Sequence, residues 1–85
     1  MSTQDIFSRN LREELNARNI SQRAVATALE IAPQTVSEWC NGICMPSLDT
    51  FRKLCVYLHA DADILLDLED EDIKIPEFYY KHFFN

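Results

Sequence analysis

The amino-acid sequence predicts an all-α fold, in which one compact helical domain is followed by a short C-terminal extension. Apolar residues recur at three- and four-residue intervals along most of the first 68 positions, as they do on the buried faces of helices. Ser, Pro, Asn and Gly separate these stretches and stand where helices usually begin or end. A chain of 85 residues suits one domain with a single core. We therefore expect a helical domain over residues 1–68, and an acidic hinge with an aromatic extension over residues 69–85.

The first helix is predicted by an apolar stripe near the N-terminus. Its members are Ile6, Phe7, Leu11 and Leu15, which fall on one helical face. Asn19 is a plausible end of this helix.

Two short helices joined by a three-residue turn are predicted next. Ser21 can cap the first of them, which runs over residues 22–29, and residues 30–32 form the turn. Pro33 suits the first turn of the following helix, because its missing N–H costs nothing there. Gly42 stands where a left-handed C-terminal cap belongs. This pair has the helix-turn-helix arrangement.

The third helix separates apolar from polar side chains. Val36 and Trp39, three residues apart, should point into the core. The polar residues should point away from it, and they are Gln34, Thr35, Ser37, Glu38 and Asn41.

A fourth and a fifth helix complete the predicted domain. Ser47 can cap the fourth, whose apolar residues at helical spacing are Leu48, Phe51, Leu54, Cys55 and Leu58. Asp61 can cap the fifth, whose apolar residues are Ile64, Leu65 and Leu68.

The C-terminal extension combines acids with aromatic rings. Residues 69–72 are all acidic, and five of the seven residues from 78 to 84 are Phe or Tyr. So much ring surface is seldom left in water, since each ring buries roughly 150–250 Å² when covered. It should pack on its own domain or on a second subunit, with the dimer contact slightly favoured. The residues expected to make either contact are Ile73, Ile75, Phe78, Tyr79 and Phe83.

The net charge of −6 is unevenly distributed. Acids and bases balance over residues 1–60, so that residues 61–85 carry the whole net charge. Nucleic-acid binders usually have a basic patch. An acidic C-terminal segment leaves local contacts possible but weakens long-range attraction to DNA.

The cysteine content favours free thiols over disulfides or a metal centre. Three Cys is an odd number, and no export signal is visible. Four possible zinc ligands exist, namely Cys40, Cys44, Cys55 and His59, but their spacing has little specificity. We expect no metal and no cofactor. No stretch approaches the roughly 18 apolar residues of a membrane span, which favours a cytoplasmic protein without a membrane partner.

Residues 6–67 resemble the Cro-like repressor family, also called the xenobiotic-response-element helix-turn-helix family. The matching positions are Ile20-Ser21-Gln22, Ala26, Pro33-Gln34-Thr35-Val36-Ser37, Trp39, Asn41-Gly42, Pro46-Ser47 and residues 48–58, with 61–67 similar to the closing helix. The resemblance implies a compact five-helix repressor-like bundle that binds operator DNA and regulates transcription, most simply as a homodimer. Its third helix, residues 33–41, would lie in the major groove.

The resemblance also implies which side chains meet DNA. Base contacts would come from Gln34, Thr35, Ser37 and Glu38. Backbone contacts would come from Gln22, Arg23 and Asn41. Alone, each of these polar residues is equally compatible with a solvated helix face.

Several positions depart from the family pattern. Glu30 occupies a turn position where relatives often have Gly, and Ala32 replaces a hydroxyl N-cap. Leu15 and Cys40 stand where many relatives have an ion pair, so we expect an apolar contact between them. The third helix has no Lys or Arg, and the loop over residues 43–45 is apolar where relatives often have Lys or Arg.

These departures keep a second function open. The chain could be a protein-interaction module, such as an antirepressor or partner adaptor, that keeps the fold and has lost DNA binding. An enzyme is not expected, because no catalytic set has a recognisable spacing. No small-molecule ligand is expected either, since no second ligand-binding domain is attached.

Overall fold

The computed structural model describes residues 2–68, which form five α-helices and no strand. The helices are α1 (Thr3–Arg18), α2 (Gln22–Leu29), α3 (Pro33–Cys40), α4 (Leu48–Leu58) and α5 (Ala62–Leu66). The predicted all-α class is confirmed, as is the three-residue turn between α2 and α3. Helix α1 packs against α3 and α5, while α2 packs against α3 and α4.

Serine side chains cap three of the helices. The Oγ atoms of Ser2, Ser21 and Ser47 each accept a hydrogen bond from the backbone N–H three residues later, at 3.1, 3.0 and 3.3 Å. These bonds satisfy amides that have no partner within the helix. The predicted caps at Ser21 and Ser47 are confirmed. Asp61 occupies the N-cap position of α5, but its carboxylate makes no capping hydrogen bond.

The end of α3 has the backbone geometry expected at a glycine. Gly42 has φ of +73°, in the left-handed region that glycine enters without steric cost. The next amide, of Ile43, donates to the carbonyl of Glu38 at 2.9 Å. This backbone bond closes the last turn of the helix.

A single apolar core joins all five helices. Its fully buried side chains include Phe7, Leu11, Val25, Leu54 and Leu65. The rings of Phe7 and Phe51 meet edge to face, with centroids 5.9 Å apart. Three of the apolar residues assigned to helical stripes lie outside this core, because Leu48 is 85% exposed, Leu68 is 58% exposed and Ile64 is 43% exposed. Leu48 is the first residue of α4 and follows an exposed loop, so its helical spacing does not bring it to the core.

No helix within residues 2–68 combines the length and the apolar character needed to cross a membrane.

Ala32 leaves the N-terminus of α3 without a side-chain cap, in contrast to the three serine caps. Replacing Ala32 with Ser should raise the free energy of unfolding by about 1 kcal/mol, because its hydroxyl can accept from a free amide of the first turn. Chemical denaturation measures the change. Ala17→Ser, at an exposed position within α1, is the control and should lower stability by a few tenths of a kcal/mol. Equal effects of the two substitutions would contradict the prediction.

Glu30 adopts the left-handed conformation in the turn between α2 and α3, with φ of 57°. This conformation costs an L-residue roughly 1–2 kcal/mol, and glycine avoids that cost while losing more backbone entropy on folding. Glu30→Gly should therefore stabilise the domain by about 0.5–1 kcal/mol in thermal or urea unfolding. Glu30→Gln keeps the side-chain size and the backbone cost, and it should leave stability nearly unchanged. If the Glu30→Gly variant unfolds at the same temperature or urea concentration as Glu30→Gln, or at a lower one, the backbone at Glu30 stores no strain.

Candidate nucleic-acid interface

Helix α3 has a buried apolar side and an accessible polar side. Val36 is 0% exposed and Trp39 is 2% exposed, so both are core residues as predicted. Among the residues predicted to contact bases, Gln34 is exposed, and the half-buried ones are Thr35, Ser37 and Glu38. Asn41, predicted to contact the DNA backbone, is also exposed. Two core side chains therefore orient a helix whose polar groups remain reachable from solvent.

The polar side chains of α3 pair with one another through long hydrogen bonds. Gln34 Nε2 donates to Glu38 Oε1 at 3.4 Å, and Asn41 Nδ2 donates to Ser37 Oγ at 3.3 Å. The Sγ–H of Cys44, in the loop after α3, donates to the other carboxylate oxygen of Glu38 at 3.5 Å. Bonds of this length between accessible groups are weak, so other hydrogen-bonding groups can replace them.

The thiol of Cys44 remains a neutral donor in this arrangement. Desolvation raises its pKa, and the hydrogen bond to Glu38 and the negative charge of that carboxylate raise it further. A raised pKa keeps the thiol protonated at neutral pH, where it can donate to Glu38.

The C-terminal end of α3 is anchored by side chains of α1. Ser8 Oγ and Arg12 Nη1 both donate to the carbonyl oxygen of Cys40, at 2.8 and 2.9 Å. Gln4 Nε2 donates to the carbonyl oxygen of Gly42. Helix ends leave such carbonyls unpaired, and a cation is favourable at the negative end of the helix dipole. Three contacts thus fix α3 relative to α1.

Leu15 and Cys40 lie in the same part of the core. They are 4% and 1% exposed, and both line a recess of about 250 Å³ between α1, the start of α2 and the end of α3. Burial raises the pKa of the Cys40 thiol, and the Arg12 guanidinium opposes that shift. Leu15 and Cys40 thus form a buried apolar region here, while Arg12 bonds to the α3 backbone.

The start of α2 lies beside this recess. Gln22 and Arg23 are exposed at the first two positions of the helix, and Gln22 lines the recess together with Arg12. Arg12 is not among the site residues expected from the sequence. Ten positions separate Arg12 from Gln22 in the chain, and only the packing of α1 brings the two together.

The loop after α3 exposes apolar side chains. Ile43 is 65% exposed and Met45 is 37% exposed, whereas Cys44 is half-buried. Neither residue offers a positive charge to a phosphate. The surface next to α3 is therefore apolar on this side.

The structure does not assemble the four candidate zinc ligands into a site. Among residues 2–68, no three His, Cys, Asp or Glu side chains are grouped so that they could hold a metal ion. Cys40, Cys44 and Cys55 are free cysteines.

The residues predicted for tail packing or dimer contact lie outside the described residues. They are Ile73, Ile75, Phe78, Tyr79 and Phe83.

Comparison with known proteins identifies similar sequences and folds. A family model described as helix-turn-helix matches residues 11–65. The SOS-response transcriptional repressor LexA from Eubacterium rectale is 29% identical with a TM-score of 0.72, and the match covers 86% of this chain and 76% of that chain. A transcriptional regulator from Listeria innocua shares the fold, at 21% identity and a TM-score of 0.69, covering 91% of this chain and 70% of that one. No curated protein matches significantly in sequence.

The matched region begins within α1, contains all of α2, α3 and α4, and ends within α5. It therefore includes the helix-turn-helix unit, the turn at Glu30 and the anchoring contacts of Arg12 and Cys40. The chain belongs to the helix-turn-helix family of the Cro and xenobiotic-response-element type.

Proposed function

We propose that this protein is a sequence-specific DNA-binding transcriptional regulator of the repressor-like kind. The observation that carries the proposal is the accessible polar side of α3, held outward by the buried Val36 and Trp39. The family match supports it, and so do the two solved relatives, which are described as a transcriptional repressor and a transcriptional regulator. The proposed function requires no catalytic group, metal or cofactor.

Helix α3 would enter the major groove, which is about 12 Å wide and admits a helix. Gln34 can make a bidentate contact with adenine, and Thr35 can touch a thymine methyl group. Glu38 can accept from the amino group of cytosine, and Ser37 can bond with several bases. Binding would exchange the Gln34–Glu38 hydrogen bond for bonds to bases.

The DNA backbone would be contacted from the start of α2 and from the end of α3. Gln22 and Arg23 are exposed beside the helix N-terminus, whose amides favour a phosphate. Asn41 offers an amide at the other end of the surface. We add Arg12, because its guanidinium stands at the recess that Gln22 also lines.

The protein would act as a homodimer on a pseudo-palindromic operator. One subunit offers few contacts to phosphates, because α3 contains no Lys or Arg and the loop after it is apolar. Joining two half-sites multiplies the affinity through effective concentration. Two recognition helices would then sit one DNA turn apart, roughly 34–36 Å.

Removing Arg23 should weaken binding to all DNA sequences alike. The binding constant falls as salt rises, and each phosphate contact contributes about −0.9 to the slope of its logarithm against log salt. Arg23→Gln should therefore make this slope less negative by about one per subunit. Salt titrations on operator and random DNA measure this change. The control is Lys53→Gln, which removes an exposed positive charge from α4 and should leave the slope nearly unchanged. A slope that is the same for Arg23→Gln and wild type would remove Arg23 from the interface.

The second candidate is a protein-interaction module that keeps this fold without binding DNA. The exposed Ile43 and Met45 beside α3 favour it, together with the absence of Lys and Arg from α3. Under this alternative the same surface would bind an apolar protein partner.

Selection from randomised DNA at several salt concentrations separates the two candidates. The regulator should enrich a two-fold symmetric sequence, and enrichment should be lost when Gln34 and Thr35 are both replaced by Ala. Failure to enrich any sequence even at low salt would favour the interaction module.

A further inference from the structure

A groove on the side of the domain formed by α2 and α4 has no role in the proposed DNA contacts. It has a volume of about 790 Å³ and lies between the end of α2 and the exposed side of α4. None of the residues that line it belongs to α3. An occupant of this groove would therefore leave the recognition helix accessible.

The groove has an apolar wall. Val56 of α4 is 69% exposed, and it lines the groove together with Ala28 and the half-buried Tyr57. A single exposed apolar residue needs no explanation, but a concave surface lined by apolar side chains is typical of a binding site.

Two cations stand beside this wall. Arg52 and Lys53 are exposed and line the groove, and neither forms an ion pair with any of residues 2–68. Glu30 and Asp49 also line the groove, but their carboxylates are too far from these two cations to form ion pairs. The groove thus offers, next to apolar surface, two positive charges that are unpaired within residues 2–68.

The chain contains a segment of matching chemistry. Residues 69–85 carry five aromatic side chains, an acidic run at residues 69–72 and a further acid at Glu77, against only two lysines. We propose that residues 69–85 dock in this groove of their own domain, with phenylalanine rings of the segment on Val56 and Tyr57 and carboxylates near Arg52 and Lys53.

The segment can reach the groove. Phe83 lies fifteen positions after Leu68, and an extended chain of that length spans up to about 50 Å. A compact domain of this size has a radius of gyration near 11 Å and is therefore about 28 Å across. A tether this short also holds the segment at an effective concentration near millimolar, which favours its own domain over a second copy at micromolar protein concentration.

Val56 is a well-isolated probe for this contact. The chain has three valines, and the other two, Val25 and Val36, are fully buried in the core. In the 85-residue chain, protonated Val methyl groups and Phe rings on a deuterated background should give nuclear Overhauser contacts from Val56 to Phe78, Phe83 or Phe84. Phe→Leu variants assign these contacts. Their absence would overturn the proposal.

Two controls define the occupant and the role of charge. The double substitution Arg52→Glu and Lys53→Glu should lower the intensity of the nuclear Overhauser contacts at least several-fold. Arg23→Glu reverses a charge outside the groove and should preserve them. Equal intensities in the two variants would contradict the charge pairing. In a mixture of differently labelled copies, contacts between copies would identify a second subunit as the occupant and overturn docking within one chain. None of these measurements involves DNA, so their failure is separate from failure of the proposed function.

Discussion

Replacing Gln34 with Ala should lower affinity for the operator by about 5- to 150-fold per subunit while leaving binding to random DNA nearly unchanged. A bidentate contact between an amide side chain and adenine is worth about 1–3 kcal/mol of discrimination. Gln34 is exposed near the start of α3, and among residues 2–68 its side chain is held only by Glu38, through a 3.4 Å hydrogen bond. Competition binding with single-base variants of the operator measures the loss and should locate it at one base pair per half-site.

Glu38→Gln is the matched comparison for Gln34→Ala. It removes a charge but keeps the length of the side chain, so it should relax the preference for cytosine at a different base pair and raise affinity for all DNA. A fall in affinity that is equal on operator and random DNA for Gln34→Ala would mean that Gln34 reads no base.

Replacing Trp39 with Ala should leave much of the protein unfolded at 37 °C. Trp39 is 2% exposed and is the largest fully buried side chain among the described residues, and such truncations cost about 3–5 kcal/mol. Small domains have a total stability of roughly 5–15 kcal/mol, so the loss is a large share of it. Thermal unfolding followed by far-ultraviolet circular dichroism measures the change, because the variant lacks the single Trp needed for fluorescence.

Two further substitutions test whether this effect comes from the core. Trp39→Phe keeps most of the ring and should cost less than Trp39→Ala. Leu48→Ala removes a side chain that is 85% exposed and should change stability by under about 0.5 kcal/mol. A Trp39→Ala variant that unfolds at the temperature of Leu48→Ala would show that Trp39 does not support α3.

The helix boundaries were predictable because their signals are local. A serine hydroxyl at Ser21 or Ser47 bonds to an amide three residues away, and Gly42 enters the left-handed region because it has no side chain. The inward direction of Val36 and Trp39 follows equally from helical periodicity. Such features need no knowledge of the neighbouring helices.

The contacts that anchor α3 depend on tertiary packing and were not predictable. The bond from Arg12 to the carbonyl of Cys40 joins residues 28 positions apart. A backbone carbonyl leaves no trace in residue identity, so no pattern could indicate it. Leu48 illustrates the converse case, because its spacing fits an apolar stripe although the core does not extend to the first residue of α4.

The most direct test of the DNA-binding surface is to follow backbone amide shifts by nuclear magnetic resonance while operator DNA is added. Entry of α3 into the major groove predicts the largest changes at residues 34–41, with smaller changes at Gln22 and Arg23. Little change on α3, together with large changes on the outer side of α4, would contradict recognition by this helix.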